Sequence, residues 1–111
     1  MLTLDKLKDY GANVDEALVR CMNKEDFYLM LVNKVLADTR LVQLEGQLGE
    51  KDLDAAFETA HALKGMYANL SLDPLTKPVS EMTELLRSRT DTDYSSLLSE
   101  AKQQFERLRG M

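Results

Sequence analysis

The chain has 111 residues, 44% hydrophobic and 30% charged, a balance that suits one compact domain over residues 1–111 and excludes a disordered class. With 19 acidic against 14 basic residues the formal charge is -5, and no Lys/Arg cluster offers a nucleic-acid backbone a partner surface. No apolar run reaches the roughly 20 residues of a spanning helix, and Met1-Leu2-Thr3-Leu4-Asp5-Lys6 lacks the apolar stretch of a signal peptide, so no membrane association and a cytoplasmic location are expected.

Apolar residues recur every three to four positions throughout, without sustained alternation, so the pattern predicts an all-α chain. Thr3 caps a short first helix that Gly11 stops. Asn13, with Glu16 three residues later, forms a capping-box pattern for a second short helix ending near Met22. The lone cysteine, Cys21, has no disulfide partner in the chain and reads as a small packing residue. Asn23 opens a long amphipathic segment with Phe27, Leu31, Val35, Val42, Leu44 and Leu48 inside, bending near Asp38-Thr39 and running toward Gly49.

Asp52 is an N-cap for the next helix, in which Leu53, Ala56, Ala60, Leu63, Tyr67 and Leu70 follow the three-and-four spacing of a bundle seam. After a turn at Asp73-Pro74 a further helix carries Val79, Met82, Leu85 and Leu86 inward, with Arg87 and Arg89 at its C-terminal end. Its start is open between Asp73 and Thr76, because only a Thr76 cap keeps Pro78 in the tolerated first turn. Thr90-Asp91-Thr92-Asp93 supplies turn and cap residues for a last helix with Leu97, Leu98, Ala101, Phe105 and Leu108 inside. Short connections make successive helices antiparallel neighbours, which gives an up-down-up-down four-helix bundle with a short N-terminal helical cap.

Gly65 stands in mid-helix, where glycine costs about 1 kcal/mol relative to alanine, so it needs a reason other than helix formation. His61, Lys64 and Gly65 lie at i, i+3 and i+4 and share one surface patch. His61 is also about 100° round from Ala60 of the seam, on the flank of the buried face. An exposed neutral imidazole keeps a lone pair that can attack phosphorus. Lys64 would offset the charge of a phosphoryl group, and the bare surface at Gly65 would let a partner's loops approach for in-line transfer. Neither a glycine-rich phosphate loop nor a Mg²⁺-type carboxylate cluster stands near His61 in the sequence.

Ala60-His61-Ala62-Leu63-Lys64-Gly65, followed by Ala68-Asn69-Leu70, resembles the signature of the histidine phosphotransfer (HPt) domain family. Its pattern is His-x-Leu-Lys-Gly with small residues after the glycine, then an apolar residue and a glycine about two turns on. Met66 and Tyr67 are bulkier than the usual small pair, and Ser71 stands where glycine is common, departures that bear on partner fit. Glu25-Asp26-Phe27-Tyr28, with Leu31 and Val35, is similar to the helix that precedes the phosphoacceptor helix in that family.

The resemblance implies a four-helix bundle that accepts a phosphoryl group on His61 and exchanges it with the aspartate of a response-regulator receiver domain, or takes it from a histidine kinase. It implies no ATP-hydrolysing or kinase site of the chain's own, no cofactor, and a Mg²⁺ ion held by the partner receiver rather than by this chain. The partner-facing surface would centre on His61 with Phe57, Glu58, Lys64, Gly65 and Ala68 around it, and Asn69 two turns on as a further hydrogen-bonding residue; a monomer is expected. Taken singly, His61 reads as a boundary residue, Lys64 as a solvated charge, Gly65 as a helix-packing position, and Phe57 and Asn69 as packing and surface polarity. The alternative function is a phosphorylation-independent helical adaptor that binds receivers or other proteins.

Overall fold

The computed structural model describes residues 1–111 and is all-helical, with seven helices and no strand. The first two, α1 (Leu4–Tyr10) and α2 (Val14–Arg20), begin where short polar side chains satisfy free amide donors. Thr3 accepts from the Lys6 N–H at 3.2 Å, and Asn13 both accepts from the Glu16 N–H and donates to the Glu16 carboxylate at 3.0 Å. Gly11 ends α1 at φ +112, a left-handed conformation in which any Cβ would be strained. The second helix stops at Arg20, two residues short of the expected end.

The long segment expected from 23 to 49 is two helices, α3 (Glu25–Ala37) and α4 (Arg40–Gly49). Lys24, not Asn23, is the N-cap of α3; Asn23 sits outside it at φ +59. The break comes from Asp38, whose carboxylate accepts the Arg40 backbone N–H at 2.8 Å and forks with the Arg40 guanidinium at 2.7 to 3.1 Å. A local side-chain acceptor of this kind competes with the helical ladder. The Arg40 hydrogen bonds also hold the Asp38 carboxyl below the ordinary carboxylate range.

The break shifts the helical phase. Tyr28, Val32 and Val35 point inward from α3, and Leu41 and Leu44 from α4. Phe27 and Val42, expected inside, are 44% and 70% exposed.

Asp52 caps α5 (Leu53–Asn69) by accepting from the Ala55 N–H at 3.2 Å, and Ala56, Ala60, Leu63 and Tyr67 form its buried seam. The next helix, α6 (Asp73–Arg87), is capped by neither Asp73 nor Thr76: Leu72 is its N-cap, Pro74 lies in the first turn and Pro78 is inside the helix. Pro78 is buried among Leu75, Val79 and Met82, so its ring contributes to the core where its nitrogen cannot donate. Finally α7 (Ser95–Arg109) starts where Asp93 accepts the Ser95 N–H at 2.9 Å.

One apolar cluster joins buried side chains from all seven helices. Within it α5 packs on α4 and α6, α6 on α7, and α3 and α1 on α7. Tyr10 ties α1 to α7 by donating to the Gln104 carbonyl at 3.0 Å. Cys21 is buried with its thiol free, as a packing residue would be. No helix is long and apolar enough to cross a membrane.

Candidate functional site

The buried seam of α5 fixes which side chains the helix turns outward. With Ala56, Ala60, Leu63 and Tyr67 inside, His61 is left exposed, Phe57 and Lys64 half-buried on the side toward α6, and Glu58, Gly65 and Ala68 exposed. At 3.6 residues per turn, Phe57, His61, Lys64 and Ala68 form one stripe, and Gly65 and Glu58 border it. Asn69 ends the helix roughly 12 Å along the axis from His61, so the structure does not bring it into the same patch.

The imidazole of His61 stacks on the Phe57 ring, with centroids 5.6 Å apart and planes 21° from parallel. Two guanidinium groups lie against the same phenyl ring, Arg89 at 4.8 Å and Arg87 at 5.2 Å from its centroid. Arg89 is fixed from two directions, by Asp54 at 2.6 Å and by the Leu86 carbonyl at 2.8 Å. Glu84 links the two helices: one carboxylate oxygen lies 3.4 Å from Lys64 Nζ and the other 3.3 Å from Arg87 Nε. The Arg87 hydrogen bond, and then the charges around it, hold the Glu84 carboxyl below its ordinary range. Three cations therefore lie about the Phe57–His61 stack, whose imidazole is exposed.

Gly65 explains itself by what is missing. A Cβ built there meets nothing within 4 Å, so no contact inside the chain requires glycine. Met66 lies half-buried on another side, where the Arg40 guanidinium donates to its sulfur at 3.3 Å. Tyr67 is in the core, and burial raises its phenol above the usual range. Neither bulky residue lies on the His61 stripe: Met66 meets Arg40 of α4 and Tyr67 is in the core.

Ser71, where the family pattern favours glycine, adopts φ +53. The left-handed backbone that glycine would serve is thus present with a serine in it. Its hydroxyl accepts from Arg20 at 2.8 Å, and the same guanidinium donates to the Ala68 and Asn69 carbonyls at 3.3 and 3.0 Å, closing the C-terminal end of α5.

The sequence showed Arg87 and Arg89 only as charges at a helix end, and did not single out Glu84. A reflection through Leu72 would have found the two arginines, though not Glu84: it sets Phe57 opposite Arg87 and Asp54 within one residue of Arg89, as two antiparallel helices require. The site is not a cavity. A hollow of about 560 Å³ lies between the end of α4, the start of α5 and residues 91–95, without His61 in its wall. No group of three or more His, Cys, Asp or Glu is placed to hold a metal ion.

No curated protein and no solved structure gives a significant match to the chain. The family model described as Hpt domain matches residues 34–111, which takes in the end of α3, all of α4 to α7, and every residue around His61 described above. A match over that share of the sequence, on a helical bundle that turns the motif's histidine outward, places this chain in the Hpt domain family.

Proposed function

We propose that the chain is a phosphocarrier of a multistep phosphorelay, accepting a phosphoryl group on His61 and passing it to or from the aspartate of a response-regulator receiver domain. Family membership implies phosphotransfer in phosphorelay signalling. The observation that carries the assignment to His61 is its exposure on the α5 stripe beside Lys64 and the open surface of Gly65. A ring nitrogen attacks the phosphorus of the receiver's acyl phosphate; the N–P bond forms as the P–O bond breaks, and the aspartate leaves as a carboxylate. Lys64 offsets charge on the phosphoryl oxygens, and Gly65 admits the partner's loops.

Phe57, Glu58 and Ala68 line the docking face around this centre, and Asn69, at the end of α5, lies outside it. The Mg²⁺ that such transfer uses belongs to the receiver, and the chain needs no cofactor or ATP-hydrolysing site of its own. Residues 1–111 act as one domain, monomeric and cytoplasmic, whose arrangement is the antiparallel up-down-up-down four-helix bundle with α1 and α2 as its N-terminal cap. The packing of α4 on α5, α5 on α6 and α6 on α7 supports that order.

The test is a transfer profile against phosphorylated receiver domains, with His61→Gln as control. The expected result is an acid-labile, base-stable label on the wild type and none on the variant, which stays folded because His61 is exposed. Absence of label on the wild type with every receiver overturns this reading and leaves the phosphorylation-independent adaptor.

A further inference from the structure

The cations around His61 are not equally held. Arg89 is clamped by a 2.6 Å bond to Asp54 and a 2.8 Å bond to a main-chain carbonyl. Lys64 and Arg87 share a single carboxylate, Glu84, through contacts of 3.4 and 3.3 Å at the long end of the hydrogen-bonding range. The Glu84 side chain is 57% exposed, so it can swing into water at little cost. Lys64 lies one helical turn from His61, and Arg87 packs on the same Phe57 ring against which the imidazole is stacked. In the unmodified protein a carboxylate thus occupies two of the three cations gathered at the Phe57–His61 stack.

We propose that Glu84 is an internal counter-anion that holds Lys64 and Arg87 while His61 is unmodified and yields both to the phosphoryl group once His61 carries it. This rests on the phosphocarrier reading. A phosphoryl group brings about two negative charges and three acceptor oxygens where the carboxylate offers one charge and two. The exchange therefore favours the phosphorylated form, but by less than if the cations were free. Glu84 lowers the fraction of His61 that is phosphorylated at equilibrium and so eases onward transfer. It is a positioning residue, acting on the phosphoryl group only through Lys64 and Arg87.

The experiment uses the full chain and phosphoramidate, whose P–N bond breaks as the imidazole N–P bond forms and ammonia leaves. The labelled fraction is read by phosphorus NMR at a fixed ratio of phosphoramidate to ammonia. Glu84→Gln is expected to raise the exchange equilibrium constant about two- to five-fold at low salt, with the gain fading as screening increases. Glu84→Asp, which keeps the charge, should stay near wild type, and Glu84→Gln should have no effect in a Lys64→Ala/Arg87→Ala background. Label on the wild type with an unchanged constant in Glu84→Gln, or a gain that persists without Lys64 and Arg87, overturns this inference alone. A wild type that takes no label overturns the phosphocarrier reading as well.

Discussion

Phe57 and His61, one turn apart on α5, are stacked with their ring centroids 5.6 Å apart. Stacking engages the face of the imidazole and leaves its nitrogen-bearing edge free, while removing rotamer freedom that a reacting partner would otherwise have to freeze. The phenyl ring is in turn held by Arg87 and Arg89. A hydrophobic side chain that looks like ordinary packing thus orients the imidazole proposed as phosphoacceptor.

Replacing Phe57 by leucine separates these roles. Leucine keeps most of the half-buried apolar contact, so stability should change by no more than about 1.5 kcal/mol. The imidazole loses its stacking partner, and transfer should slow roughly tenfold through lost orientation. Urea unfolding and the initial rate of label transfer from a phosphorylated receiver measure the two effects. Equal transfer rates would show that the stack does not position His61.

Gly65 makes the opposite combination. Because a Cβ there meets nothing within 4 Å, Gly65→Ala removes only the helix penalty of glycine and should stabilise the protein by about 1 kcal/mol. Under the proposed docking at this open surface, Gly65→Leu should slow transfer at least about tenfold while the protein remains folded. Thermal unfolding and transfer kinetics on both variants decide it. Full transfer by the leucine variant would end the close-approach argument.

The helices were readable from the sequence because each is specified locally: Thr3, Asn13 and Asp52 cap as their side chains dictate, and the α5 seam follows its spacing. Phe27 and Val42 were misplaced for a local reason with a tertiary outcome. Tyr28, Val32 and Val35 form a second apolar stripe beside Phe27, Leu31 and Val35, and periodicity does not choose between adjacent stripes. Val42 was phased on a continuous helix that the Asp38–Arg40 fork interrupts. His61, Lys64 and Gly65 share one helix and were legible together; Glu84, Arg87 and Arg89 reach them only through the α5–α6 packing.

Arg20 and Ser71 provide a prediction about the fold away from the His61 patch. Serine at φ +53 pays a left-handed backbone cost of about 1 to 2 kcal/mol, and its hydroxyl meets Arg20 at 2.8 Å. Ser71→Gly should therefore be nearly neutral in the wild type, because relief of strain offsets the lost hydrogen bond. Arg20→Ala, which frees the Ala68 and Asn69 carbonyls as well, should cost about 1 to 2 kcal/mol. In that background Ser71→Gly should turn stabilising, since only strain is left to remove. A double-mutant cycle in urea measures the coupling, and strict additivity would show that Arg20 and Ser71 act independently.

The four tyrosines give a pH prediction with a definite sign. Burial, the largest cause at each, raises the phenols of Tyr10, Tyr28, Tyr67 and Tyr94, that of Tyr28 to about 12. Tyr28 also donates to the Leu70 carbonyl at 2.9 Å, a bond its ionised form could not make. The folded state therefore resists ionisation that an unfolded chain undergoes near pH 10. The stability this confers is fully present below about pH 10 and is lost as pH rises toward and through the folded value. In an alkaline titration, ultraviolet absorbance of tyrosinate should lag behind that of free tyrosine and then rise together with loss of helical circular dichroism. Titration of all four phenols near pH 10 with the helices intact would show that these hydroxyls reach water in the folded protein.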